Sequence, residues 1–225
     1  MGEQVGRIEK PAAERFKQSK KLYLVPLIYS NEGAPDEYKE KCGRYWQQAS
    51  EQLVNLEAKI GKIRRVYHEL ISQYGEDGLK LVEGLNPDSY QIAKSKCDNG
   101  AVLEAIEEGE LVEEVMDWER CMLLGLVSEK VANKISEFYF EASRKRYEFM
   151  TKKLEETLKD NEAGLLFITG GHRLQFPVDI EVFSVFPPAL DEIHRWLRDR
   201  SDKKQKKAQE EETEEEETEE KETEE

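Results

Sequence analysis

The sequence predicts a mainly helical α+β protein, in which a long helical hairpin or bundle carries a small three-stranded sheet. Two observations predict the helices. One is an apolar stripe with alternating steps of four and three residues from Cys42 to Leu70, and the other is an amphipathic stretch from Leu111 to Lys159. The third observation is short apolar strand segments near both ends of the chain. We expect strands from the two ends to meet in one sheet, with a C-terminal helix beside it.

The composition excludes a protein that spans a bilayer and divides the chain into three parts. Of its 225 residues 38% are hydrophobic and 37% are charged, and its longest apolar stretches fall far short of the ~20 residues that a span needs. Between Glu210 and Glu225 there are twelve Glu and one Lys, so this segment holds most of the net charge of −15. We predict an extended arm over 1–20, one folded domain over 21–200 and a disordered acidic tail over 201–225.

The first half of the chain is predicted to hold one strand and one long helix. The strand lies within Leu22–Tyr29, and Pro26, which cannot donate to a ladder, implies either an edge strand or an unpaired face. The helix runs from Asp36, a residue type that caps helices, to the end of the stripe. The stripe comprises Cys42, Trp46, Ala49, Leu53, Leu56, Ile60, Ile63, Tyr67 and Leu70. Such a stripe packs on a second helix of the same chain, which we favour, or on a second copy, so a homodimer stays an open alternative.

The second half is predicted to hold the partner helix, two strands and a final helix. The partner helix covers Leu111–Lys159, and its apolar face is wide enough for two packing neighbours. The strands are Gly164–Thr169 and Glu181–Val185, each closed by turn residues. The final helix, Ala189–Arg200, is expected to pack Trp196 against the sheet.

Few residues form a pattern that is typical of catalysis or metal binding. The three cysteines lie in no Cys-x-x-Cys or Cys/His cluster, and the three histidines form no HExxH or paired Glu-x-x-His pattern. His68 is expected on the surface of the first long helix. We therefore predict no catalytic residue, no metal and no cofactor, and whether the chain is an enzyme stays open.

One candidate binding site follows the Gly164–Thr169 strand. It consists of Gly170, Gly171, His172 and Arg173. Glycines let the backbone approach a ligand closely, and loops at strand ends often carry function. An anion-binding or acid–base role is one interpretation of this turn. The other is a structural loop in which the glycines supply positive φ and His172 is only a polar side chain.

The segment Glu162–Arg173 (EAGLLFITGGHR) resembles part of the closing α/β domain of the archaeal–eukaryotic release factor and Pelota group. The likeness is confined to this segment, lacks the Gly-Gly-Gln tripeptide that marks peptide release, and does not identify the chain as a member. It implies a ribosome- or RNA-associated role. Basic clusters on the predicted helices, such as Arg144, Lys145 and Arg146, are compatible with that role.

These observations together predict a non-enzymatic, cytoplasmic interaction or scaffold protein that acts through protein–protein contacts. The N-terminus has no apolar secretory segment, and no membrane partner is expected. A protein partner is expected, but the sequence does not identify it. Two alternatives stay open: an RNA- or ribosome-associated factor that binds through basic helix faces, and an enzyme with its site near His172.

Overall fold

The computed structural model describes residues 19–203 and 205, in which five strands alternate with six helices. The strands are β1 (Lys20–Leu27), β2 (Ile63–His68), β3 (Val102–Leu103), β4 (Ala163–Thr169) and β5 (Ile180–Ser184). The helices are α1 (Asp36–Lys59), α2 (Gly75–Leu85), α3 (Pro87–Asp98), α4 (Gly109–Met122), α5 (Glu129–Thr157) and α6 (188–203). The arm predicted for 1–20 and the tail predicted for 201–225 lie almost entirely outside the described residues. No helix in the described ranges is both long and apolar enough to cross a bilayer.

The five strands form one parallel sheet in the order β3-β2-β4-β1-β5, so the fold class is α/β. The prediction of a mainly helical bundle with a three-stranded sheet is therefore wrong. The two C-terminal strands do not form a hairpin, because β1 lies between them and pairs in parallel with both. Parallel strands need long crossover connections, and in this chain helices supply all of them except the one from β4 to β5.

Strand β1 is an interior strand of the sheet, so of the two interpretations of Pro26 the edge position is wrong, and a strand face without ladder pairing to β5 at that position is the one that applies. Leu22, Tyr23 and Val25 are fully buried, as expected for a strand that is covered on both faces. Val185 N donates to Leu24 O at 2.8 Å, so the backbone groups of Leu24, and those of Pro26 two residues on, face β5. Paired residues of β5 end opposite Leu24, and Pro26 therefore costs no hydrogen bond to that strand.

The single helix predicted from Asp36 to Leu70 is in fact a helix followed by a strand. Helix α1 ends at Lys59, and strand β2 begins at Ile63 after a short turn. The Tyr23 hydroxyl donates to Gly61 O at 2.7 Å and ties this turn to β1. Tyr67, expected on the helix stripe, is instead a fully buried residue of β2.

The second long helix predicted over Leu111–Lys159 is also two elements. Helix α4 ends at Met122, and α5 begins after Ser128, whose side chain accepts a hydrogen bond from Val131 N. Gly125 lies in the six-residue connection. The predicted hairpin of two helices over 36–70 and 111–159 is therefore absent from the described residues, and a shorter hairpin of α4 and α5 exists instead.

Helices cover both faces of the sheet. On one face, here called the α5 face, Met150, Leu154 and Leu158 pack in a buried cluster with Leu22 and Leu166. On the opposite face, the α3 face, the ring of the β2 residue His68 contacts Ser89.

The described residues form two compact units, 19–28 with 49–185 and 29–48 with 186–203. The first unit contains the sheet. The second contains the first half of α1 and helix α6. Within it the Trp196 indole N–H donates to Glu37 Oε2 at 3.0 Å, and its ring lies 5.0 Å from that of Tyr38. Trp196 thus packs on α1, whereas the sequence predicted a contact with the sheet.

Candidate functional site

The candidate site lies in the first unit, where strands β2 and β4 end side by side at the carboxyl edge of the sheet. After His68 the chain continues to α2 and α3, and Ser89 of α3 packs on the α3 face. After Thr169 it continues through Leu174, which belongs to the cluster on the α5 face. The connections of two adjacent strands therefore leave toward opposite faces. In open parallel sheets such a divergence is the usual place for a ligand.

A buried cluster of Glu69, Glu107 and Arg146, here called the Glu–Arg–Glu cluster, lies at this edge. Their side chains are at most 9% exposed. Arg146 Nε donates to Glu107 Oε2 at 3.0 Å, and its Nη2 donates to Glu69 Oε1 at 3.1 Å and also to Glu107 Oε1. Burial by itself lowers the pKa of Arg146, but the two carboxylates outweigh it, and the pKa is raised above its usual value. The guanidinium is therefore permanently charged.

The cluster also fixes the backbone at the ends of two strands. Two carboxylates share one cation, and the remaining negative charge is met by backbone N–H groups. Thr169 N donates to Glu69 Oε2 at 2.6 Å, and Leu70 N donates to Glu107 Oε1 at 3.2 Å. Leu70 has φ 68°, a left-handed conformation that is unfavourable for a leucine. The hydrogen bond to Glu107 helps to hold it there.

His68 is a buried strand residue and not the helix-surface residue that the sequence predicted. Its ring is fully buried, with Nδ1 2.7 Å from Glu69 O and Nε2 3.0 Å from Ser89 Oγ. Burial lowers the pKa of His68 to about 4, so the ring is neutral at neutral pH. Because a carbonyl only accepts hydrogen bonds, the neutral ring carries its proton on Nδ1.

The predicted binding turn, Gly170 to Arg173, follows β4 directly. Gly171 has φ 80°, a conformation that suits glycine, and a Cβ on either glycine would meet no described atom within 4 Å. His172 Nδ1 is buried and has no hydrogen-bond partner among the described residues. Burial lowers the pKa of His172, while the nearby Glu69 charge acts in the opposite direction. The ring packs edge-on against Phe176 at 5.8 Å, so His172 contributes to the fold of the loop.

Arg173 points into a groove of about 630 Å³ between α5 and the loop after β4, here called the α5 groove. Its guanidinium carbon lies 5.4 Å from the ring centre of Phe140, a residue that is 52% exposed. The Tyr147 ring also lines the groove. Thr151 Oγ1 donates to Gln175 O at 2.9 Å. These contacts attach the loop to the helix and form the two walls of the groove.

The charges along the groove are partly neutralised. Its described lining includes the cations of Arg144, Lys152 and Arg173 and the carboxylates of Glu148 and Glu155. Arg144 is paired with Glu148 at 2.6 Å, one turn along the helix. Arg173 forms no ion pair with a described residue, so it is the cation that is free to bind an anion.

The structure thus separates the four predicted binding residues. Arg173 lines the groove, His172 packs inside the loop, and the two glycines shape the turn. Sequence reasoning missed Phe140 and the Glu–Arg–Glu cluster, because no local pattern links residues that are 33 to 77 positions apart. No group of three or more His, Cys, Asp or Glu residues in the described ranges could hold a metal ion.

Comparison with known proteins does not extend this description. No protein-family model matches the chain, and no curated protein and no solved structure is significantly similar to it. Function therefore has to be inferred from the geometry of the site alone.

Proposed function

We propose that this protein binds a small organic anion with a planar apolar body in the α5 groove. The observation that supports this proposal most is the position of the Arg173 guanidinium. It forms no ion pair with a described residue and lies over the exposed Phe140 ring at the carboxyl edge of a parallel sheet. A guanidinium binds carboxylates and phosphates through two parallel hydrogen bonds. Aromatic side chains beside it bury the apolar part of a ligand, and a groove of this volume is in the range of small-molecule sites.

Each part of the groove has a role in this proposal. Arg173 binds the anionic group, while Phe140 and Tyr147 contact the planar body. Thr151 positions the loop by its hydrogen bond to Gln175 O. The Glu–Arg–Glu cluster acts from beneath, because Glu69 holds the amide of Thr169 at the start of the same loop.

The proposal is tested by thermal unfolding of the full chain with two sets of ligands, nucleoside phosphates and aryl carboxylates. Both sets join a planar group to an anion, so they distinguish the two chemical sources of such a ligand. A ligand at 100 times its Kd stabilises the fold by about 2.7 kcal/mol, which raises the Tm of a domain of this size by roughly 5–10 °C. Hits are then titrated by calorimetry against variants.

The matched variants are R173A, F140A and, as control, R120A. Arg120 is an exposed arginine of α4 that is paired with Asp117 of the same helix, outside the groove. Loss of a hydrogen-bonded charge costs about 1.5–3 kcal/mol, so we expect R173A to weaken binding at least tenfold, F140A to weaken it less, and R120A to leave it unchanged. Equal affinity of wild type and R173A for every hit would refute the assignment, as would the absence of any hit in either set.

The other hypotheses receive less support from the geometry. The scaffold hypothesis relied on a long helical hairpin that the described residues do not contain. The RNA hypothesis relied on basic helix faces, but those of α5 are neutralised by their own carboxylates. The pairs are Arg144–Glu148, Lys145–Glu141, Lys152–Glu156 and Lys153–Glu156. An enzyme at His172 would need a group that orients the imidazole, and the buried Nδ1 has no hydrogen-bond partner among the described residues.

A further inference from the structure

The α4–α5 hairpin of the first unit exposes an unusual concentration of apolar side chains at its turn. The hairpin tip, defined here as residues 122–131, contains five exposed large apolar residues. They are Met122 (41% exposed), Leu123 (87%), Leu124 (62%), Val127 (103%) and Val131 (47%). Together they present an area on the order of 500 Å², at the upper end of the largest apolar patch on a typical monomer. The run Cys121–Ser128 contains no charged residue, in a chain that is 37% charged.

The two helices bury little of this surface by themselves. Both helices lie within the described residues. Val115 is the one buried residue of α4, and α5 has no buried residue before Ala142. Trp118 stacks on Phe138 with ring centres 4.9 Å apart, yet Phe138 remains 36% exposed. A pair of helices with so small a shared core needs a further neighbour to cover its apolar side chains.

We infer that the hairpin tip is an interface between two copies of this chain. The charges at its rim favour a second copy over other occupants. Near the end of α4 Arg120 is paired with Asp117, and Glu119 accepts a hydrogen bond from Tyr139. Glu129 and Lys130 begin α5, so the rim of the patch carries charges of both signs. In a two-fold contact the same surface meets itself, which requires a balanced rim, because a rim of one sign would repel its own copy.

Two further considerations agree with a second copy. An anionic membrane surface would select an excess of cations, which this rim does not have. Two hairpins whose tip segments overlap side by side around a two-fold axis form a short four-helix bundle, in which the apolar side chains of all four helices face a common core. The area of the patch also approaches the ~800 Å² per partner that a standard interface buries.

Sedimentation equilibrium of the full chain over a range of concentrations tests the inference. We expect a concentration-dependent dimer, and we expect V127E to weaken the dimer at least tenfold. The matched control is V178E, because Val178 is equally exposed (107%) but lies in the loop between β4 and β5. Both sites are fully solvated, so neither substitution disturbs the core, and circular dichroism checks that the helix content is unchanged.

Cross-linking provides a second readout that does not depend on the introduced charge. On mild oxidation V127C is expected to form a disulfide-linked dimer in a higher yield than V178C, with the wild-type chain as baseline because Cys121 lies near the tip. A wild-type chain that is monomeric up to about 100 µM, a range in which interfaces of this size associate, overturns the inference. Dimers that V127E and V178E weaken equally also overturn it. If a monomeric chain instead co-floats with phosphatidylserine vesicles, and V127E abolishes this, the tip is assigned to a lipid surface.

Discussion

Replacing Arg146 by methionine tests the Glu–Arg–Glu cluster most directly. Methionine keeps most of the length and apolar volume of the arginine stem but removes the cation that pairs with both Glu69 and Glu107. Both carboxylates are less than 10% exposed and would stay buried without a counter-charge. The variant therefore isolates the electrostatic role of the guanidinium from its packing.

The expected loss of stability follows from the burial of the partners. Breaking a buried ion pair by removing one member costs roughly 3–5 kcal/mol, since it leaves an uncompensated buried charge. Here two carboxylates lose three hydrogen bonds from one guanidinium, so we expect R146M to fall within this range. The matched control is R144M on the same helix. Arg144 is 61% exposed and paired only with Glu148, and exposed pairs contribute at most about 1 kcal/mol.

Urea unfolding followed by circular dichroism measures these differences, and comparison of the slopes detects any change in the unfolding mechanism. The triple variant R146M/E69Q/E107Q distinguishes the cost of the uncompensated carboxylate charges from the cost of losing the guanidinium itself. It leaves no buried charge, so we expect it to recover at least half of the stability that R146M loses. A loss in R146M no larger than that in R144M would show that the two carboxylates do not depend on Arg146. A triple variant less stable than R146M would show that the carboxylates stabilise the strand ends through Thr169 and Leu70 alone.

Three further predictions concern strand β2, helix α1 and the loop after β4. Because the pKa of His68 is about 4 in the folded state and about 6.5 in the unfolded chain, its contribution is complete above pH 6.5 and is lost as the pH falls toward 4. The free energies of unfolding that urea titrations give for wild type and H68Q should converge by up to about 3 kcal/mol across this range, and parallel pH profiles would contradict the shift. In thermal unfolding L53A is expected to lower the free energy of unfolding by roughly 2–5 kcal/mol and L56A by clearly less, because Leu53 is fully buried and Leu56 is half-buried. Equal losses would show that the two leucines are equally buried, as the predicted stripe required. Replacing Gly171, at φ 80°, by alanine is expected to cost about 1 kcal/mol, while G170A changes little; the reverse order would mean that the turn has another conformation.

Several elements could be predicted because their local pattern admits one interpretation. The segments that became β1, β4 and β5 are short apolar runs closed by turn residues, and each strand lies where such a run was identified. The same holds for α6, which begins at the second residue of the Pro187-Pro188 pair. Strand β2 could not be separated from α1 by periodicity. Ile63 and Tyr67 continue the 4,3 steps of the helix, and two matching positions do not distinguish a short strand from one more helical turn.

The candidate site was predictable only in part, for a related reason. Arg173 was identified because Gly170 and Gly171 mark a turn at a strand end. The partners of this loop come from distant parts of the chain: Phe140 from α5, and Glu69 from the end of a strand that the sequence analysis did not recognise. A buried charge gives no local sign in the sequence, because glutamate and arginine are also the commonest residues of a solvated helix face.

One property of the predicted strands already conflicted with a helical bundle. The runs Leu22–Val25 and Leu165–Ile168 are apolar at every position, without the alternation of a strand that has one face in water. A strand of that kind has to be covered on both faces, and a single helical hairpin can cover only one. Two layers of helices are then required, and parallel crossovers are the connections that supply them. The chain between the two runs therefore has to hold a further strand as well as helices. The β-branched segment Ile63–His68 is the part of that chain with the composition of a strand, and it is the neighbour that β4 has in the structure.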